Sequence, residues 1–211
     1  MSFQTNMRKT QLIKGLSAKL PNTFVIMADD DIAQKYPTHK KPLAMYTSPD
    51  KFADFGVNYA VNQWNNRNLT VLRDIYKSTI SSVFTHVEYL QEGIIKKIND
   101  RDFIVFEFVS ELTDDKRPDN RNFTVRNYSY IVYTLVDKKI LIFNFTSTVQ
   151  TKDKWLPVAN AIMNSINISE NIKIEDYVPV EVERKMPKGK SNDPQMEMIM
   201  KMKDSKAKKQ E

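Results

Sequence analysis

Between residues 89 and 149 apolar and polar side chains alternate with a period of two, in four runs: 89–98, 103–112, 123–136 and 140–149. Successive side chains of a strand point to opposite faces, so this pattern predicts four strands, each half-buried. Ile, Val, Phe and Tyr dominate the runs. The separators "NDRD", "TDDKRPDNRN" and "VDKK" are polar turn sequences. Together they predict an antiparallel meander.

The chain before the meander is mixed. Residues 10–20 read as a first strand ending at Pro21. Residues 28–36 read as a short helix, with an aspartate capping its start and Pro37 ending it. Strands follow at 43–48 and 55–63, joined by the turn "TSPD". Asn68 is placed to cap a longer helix. In it Leu69, Leu72, Ile75, Tyr76, Ile80 and Val83 recur at three- and four-residue spacing, the stripe of a helix lying on a sheet. After the meander, "KDKWLPVANAIMNSI" returns to that spacing, with Trp155, Val158, Ile162, Met163 and Ile166 on one side. Pro157 is tolerated in a first turn, so this helix should start near Asp153. Beyond Ile168 prolines and charges rise. The expected division is a domain over 1–168, an extended linker over 169–190 and a basic, Met-rich tail over 191–211.

An apolar fraction of 41% fits a packed core. With no cysteine, disulfides, thiolate metal sites and cysteine nucleophiles are excluded. The net charge of +6 is uneven. Residues 184–211 hold nine Lys/Arg against four Asp/Glu, which leaves the rest of the chain nearly neutral. The basic character therefore belongs to a tail and does not describe a nucleic-acid-binding face. The N-terminus shows no secretory h-region and no apolar run reaches a membrane span, so a cytoplasmic protein is expected. The glycosylation-like triplets at Asn68, Asn122, Asn144 and Asn167 are then chance matches.

Several stretches carry a resemblance in their order along the chain: "LSAKLPNTFVIM", "YPTHKKPLAMYTSPD", "DFGVNYAVNQW", "HVEYLQEGIIKKINDRDFIVFEFVSE", "YSYIVYTLVDKKILIFNFTS" and "KWLPVANAIMNSINI". Over residues 10–168 the chain resembles the PsbP-like proteins. That group includes the DcrB-like bacterial proteins and a Ran-binding nuclear import factor. The resemblance implies an α/β (α+β) fold: an antiparallel sheet of six or seven strands with helices on both faces. It also implies a binding or assembly role, as in an extrinsic photosystem subunit, a small-GTPase-binding factor and cytosolic chaperones of type VI secretion effectors. It carries no binding residue over to this sequence.

Each candidate for chemistry has a plainer account. Asp29, Asp30 and Asp31 suggest a divalent cation, but neighbouring helical side chains point about 100° apart. Helix N-terminal charge accounts for them better. Asp114, Asp115 and Asp119 sit in a polar hairpin loop without calcium-loop spacing. His39 and His86 lack a recognisable nucleophile or carboxylate partner. Glu107 and Glu111 share one strand face; they could form an acid/base pair, but a solvated face or cross-strand pairing to Lys or Arg is the better expectation. Four glycines make no phosphate-cradling loop. Trp64, among amides and Arg67, is either a protein-contact residue or a cap on the core. "RNFTVRNYSY" as a nucleic-acid platform does not suit a nearly neutral domain.

The tail stretch "QMEMIMKMKDSK" is the remaining signal. With Asp193 as cap and Pro194 as first helical residue, Met196, Met198, Ile199, Met200 and Met202 share one broad face. Glu197, Lys201 and Asp204 take the other. Flexible, polarizable methionines suit a surface that adapts to a partner. A disordered solubilising tail and a basic membrane-surface helix are the other readings. The expected protein is a non-enzymatic, protein-binding module. It is an adaptor or chaperone for a bacterial secretion or envelope assembly, with no cofactor, no metal and no nucleic acid. The alternative is a small-ligand-binding protein or enzyme with a pocket between sheet and helix.

Overall fold

The computed structural model describes residues 5–36, 41–61, 68–114, 123–136 and 139–174. Ten strands and three helices follow one another there. They are β1 (Met7–Ile13), β2 (Leu16–Pro21), β3 (Val25–Ile26), α1 (Asp29–Lys35), β4 (Ala44–Thr47), β5 (Ala53–Val61), α2 (Leu69–Val83), β6 (His86–Ile98), β7 (Arg101–Asp114), β8 (Phe123–Val136), β9 (Lys139–Thr148), α3 (Lys152–Asn164) and β10 (Asn167–Ile168). Seven strands form one sheet in the order β3-β4-β5-β9-β8-β7-β6, and β1, β2 and β10 form a second. Every pairing is antiparallel.

The alternation in the meander becomes two cores, one on each face of the large sheet. Phe103 and Val105 of β7 face α3, joining Tyr128, Val132, Phe143, Phe145, Trp155 and Ile162. Ile104, Phe106 and Phe108 face the other way, against Leu72 and Ile80 of α2. Each buried aromatic contributes roughly 1.5–3 kcal/mol, so both faces are strongly specified and the register is pinned. Asn68 caps α2 as expected, accepting from the Thr70 amide at 2.9 Å. Tyr76 of α2 stacks on Tyr133 of β8 at 4.0 Å between centroids.

Several local expectations change. The first predicted strand is a hairpin, broken at Gly15, whose φ of 83° turns β1 into β2. The small sheet this hairpin builds with β10 covers the α3 side, and Leu12, Leu16, Ala18 and Leu20 enter that core. No aspartate side chain caps α1; its N-cap is Ala28. Instead Asp29 pairs with Lys41 at 2.7 Å and Asp31 with Lys51 at 3.0 Å, so these two carboxylates are drawn to different partners. Pro157 stands in the interior of α3 and not in its first turn. A short 3-10 turn, Val149–Thr151, leads directly into the helix. Ile172 and Ile174 also pack into the α3-side core.

One buried carboxylate fastens α1 to the sheet. Asp54 of β5 accepts from Lys35 Nζ at 2.9 Å, from the Tyr36 hydroxyl at 2.8 Å and from Thr47 Oγ1 at 2.5 Å. Its charge is thus both paired and fully hydrogen-bonded, as a buried ion must be.

Candidate functional site

Among the described residues strand β6 is the long outer edge of the large sheet and pairs only with β7. It breaks its alternation twice. Tyr89 opposes Phe108 and Gln91 opposes Glu107, so Leu90 has no residue across from it. Glu92 opposes Phe106 and Ile94 opposes Val105, so Gly93 has none either. Both positions are β-bulges. Gly93 needs its φ of 63°, and the Arg73 side chain of α2 lies over it. Next to it Lys77 of α2 holds Glu92 at 2.8 Å, and that hydrogen bond first, then the carboxylate's charge, raises the lysine's pKa.

Edge strands expose unpaired backbone donors and acceptors and are normally blunted. This one carries Leu90, Ile94 and Ile95, which remain 43%, 45% and 47% exposed. Three exposed aliphatic side chains fall within six residues, with Ile94 opposite Val105 on the α3 face and Ile95 opposite Ile104 on the α2 face, an apolar stretch along the edge. Charges flank it: Glu88 and Glu92 on the first half, Lys96 and Lys97 on the second. Lys96 also donates to Asn164 Oδ1 at 2.7 Å.

Behind the edge, on the α3 face, lies a buried polar cluster. Glu107, 5% exposed, stands opposite Gln91 on one side and Tyr130 on the other. Its carboxylate accepts from the Tyr128 hydroxyl at 2.7 Å and from the Gln91 amide. Burial first, then the bond to Glu107 and its charge, raises the Tyr128 phenol far above its usual pKa. Burial and the Glu107 charge raise Tyr130 as well, against a smaller opposing effect of the Gln91 amide. That amide is out of hydrogen-bond geometry with Tyr130, whose hydroxyl is buried without a hydrogen bond. The solvated face expected for Glu107 is therefore not what forms. The carboxylate ties β6, β7 and β8 together from within. Glu111 does make the expected cross-strand pair, with Arg126 at 3.4 Å.

Of the other candidates, His86 is exposed at the start of β6 opposite Glu111. His39, Trp64, Asp115, Asp119 and the tail residues Met196, Met198, Ile199, Met200 and Met202 lie outside the described residues. An open hollow of about 340 Å³ lies on the small sheet, lined by Lys9, Gln11, Ser17, Asn167 and Ser169 among others, and not between the large sheet and a helix. Among the described residues no three carboxylates or histidines converge, and no helix is long and apolar enough to cross a membrane.

No protein-family model matches the chain, and no curated protein sequence matches it. Solved structures do. The cyanobacterial PsbP of Synechocystis sp. PCC 6803 matches at 9% identity with a TM-score of 0.51, covering 79% of this chain and 94% of that one. The Ran-binding protein Mog1p of Saccharomyces cerevisiae matches at 8% identity and a TM-score of 0.47, over 78% of this chain and 96% of that one. LpqN of Mycobacterium tuberculosis, involved in cell envelope biogenesis, matches at 6% identity and 0.45, over 79% and 92%. The chain thus has a PsbP-like fold, with seven antiparallel strands and helices on both faces as the resemblance implied.

Proposed function

We propose that the protein is a non-enzymatic protein-binding module that receives an extended segment of its partner along β6. The observation that carries this reading is the exposure of Leu90, Ile94 and Ile95 on an edge strand that, among the described residues, pairs on one side only. An added strand would satisfy the outward backbone groups and cover the three side chains at once, the usual economy of strand addition. The surrounding scaffold suits such a role. Two cores hold the sheet from both faces, so the edge is presented in a fixed shape.

The finer reading is an adaptor or chaperone in the cytoplasm for a secretion or envelope machine. It rests on the family resemblance of the sequence. In this reading the Met face of the tail (Met196, Met198, Ile199, Met200 and Met202) and Trp64 are secondary contacts to the partner. The test is affinity capture of the tagged full-length protein, with quantitative mass spectrometry. The wild type is compared with a variant carrying Leu90→Ser, Ile94→Ser and Ile95→Ser, its fold checked by circular dichroism. Partners lost selectively from the variant are expected. Equal capture by both proteins overturns the edge as the docking site.

A further inference from the structure

We infer that β6 docks a second copy of itself, antiparallel across a two-fold axis at Glu92, to give a homodimer with one continuous sheet. This rests on the reading of β6 as a docking edge and specifies what occupies it.

The charge order along the strand carries the argument. Glu92 is the central residue of the strand His86–Ile98. A two-fold axis there puts Glu88 opposite the partner's Lys96, and Lys96 opposite the partner's Glu88. A two-fold normal to a sheet keeps each face on its own side, so paired residues must point to the same face. They do. Glu88 stands opposite Val109 and Lys96 opposite Phe103, both odd-numbered positions of β7 on the α3 side. Tyr89 and Ile95 stand opposite Phe108 and Ile104 on the α2 side, so Tyr89 meets the partner's Ile95. The same register brings Leu90 level with the partner's Ile94 along the seam.

The two bulges allow this. A single bulge would shift the alternation by one position and send Glu88 and Lys96 to opposite faces. Two bulges restore it, so the alternation before Leu90 and the alternation beyond Gly93 are in phase with each other. The like-charged contact at the axis, Glu92 against the partner's Glu92, is relieved because each carboxylate is already held by its own Lys77. An axis at Lys96, within the regular stretch of residues 94–98, would set lysine against lysine. Isologous pairing of this kind closes on itself and leaves no free copy of β6 for further growth.

The first test is the full chain's mass by sedimentation equilibrium over a concentration series. Wild type should dimerise. Glu88→Lys should weaken the dimer about tenfold or more, because both symmetry-related pairs become repulsive. Lys96→Glu should do the same, and the doubly swapped variant should recover the wild-type constant. The second test uses the absence of cysteine in the chain. Directly opposed residues have Cα atoms roughly 4.5–5.5 Å apart, within disulfide reach. Glu92→Cys should therefore cross-link to its own copy under mild oxidation, whereas Glu88→Cys should not. A monomer at every concentration overturns the homodimer. So does a dimer indifferent to both charge reversals, or one without the Glu92→Cys cross-link. A monomer whose Leu90, Ile94 and Ile95 variant still loses its partners leaves the docking edge standing and removes only the second copy.

Discussion

Asp54 shows how one side chain fixes an element. Its carboxylate is buried, and three donors from Lys35, Tyr36 and Thr47 converge on it. Asp54→Ala strands those donors, two of which close α1 onto the sheet. A loss of about 3 kcal/mol is expected, read as a lowered urea midpoint with an unchanged slope. Tyrosines behave differently. Burial pushes Tyr76 up to about 12, and burial followed by the neighbouring Tyr76 and Tyr89 raises Tyr133 further. The unfolded chain ionises near pH 10 while the folded protein keeps these protons. Their stabilising contribution is therefore complete below about pH 10 and is lost as the pH climbs from there, that of Tyr76 through about 12. Urea midpoints measured from pH 8 to pH 11 should fall at the alkaline end, and Tyr76→Phe should flatten that fall. A wild type equally stable at pH 8 and pH 11 contradicts the assignment.

At the scale of elements, the bulge at Gly93 is the most exacting position in β6. A methyl group there would lie 2.6 Å from Arg73 Cγ and 3.1 Å from Phe106 Cε1, on a backbone of positive φ. Gly93→Ala should cost about 2 kcal/mol in thermal or urea unfolding. Gly93→Asn, which tolerates that φ better, should still be penalised by the same contact. The meander of β6 to β9 and both long helices were legible in the sequence, because period two and period 3.6 differ plainly over ten or more residues. The hairpin at Gly15 was not. One glycine in an alternating run marks a turn no more clearly than it marks a bulge, and Gly93 in β6 is a bulge. The two-residue strands β3 and β10 are too short for any period to register. The burial of Glu107 was not legible, because alternation tells which face a residue shares, not whether that face is dry. The signal available was the pair Tyr128 and Tyr130 two strand positions apart, whose hydroxyls need polar company when buried. Nothing in the sequence alone put β6 at the edge; strand order comes from pairing across the whole sheet.

For the molecule as a whole, the boundary of the folded unit is the practical question. Ile172 and Ile174 lie within the α3-side core. A chain ending at residue 168 should thus be less stable than one ending at residue 183, by roughly 2–5 kcal/mol for two buried isoleucines. Removing residues 184–211 should leave the melting temperature of the domain within about 2 °C of the full chain. A large drop on that removal would mean the basic tail is part of the folded unit.

The pairing of β5 with β9 joins parts of the chain that are far apart in sequence: Phe55 lies opposite Phe145. During synthesis at roughly 5–20 residues per second, β5 leaves the ribosome several seconds, and up to about 18, before the strand that completes it. For that interval Phe55 and Val57, fully buried in the finished protein, have β4 to pair with but lack the strand that joins them to the rest of the sheet. The nascent N-terminal third is then a client for whatever shields apolar segments on the ribosome. Refolding of the finished chain, which has β9 available from the start, should aggregate less than stalled chains that end before residue 139.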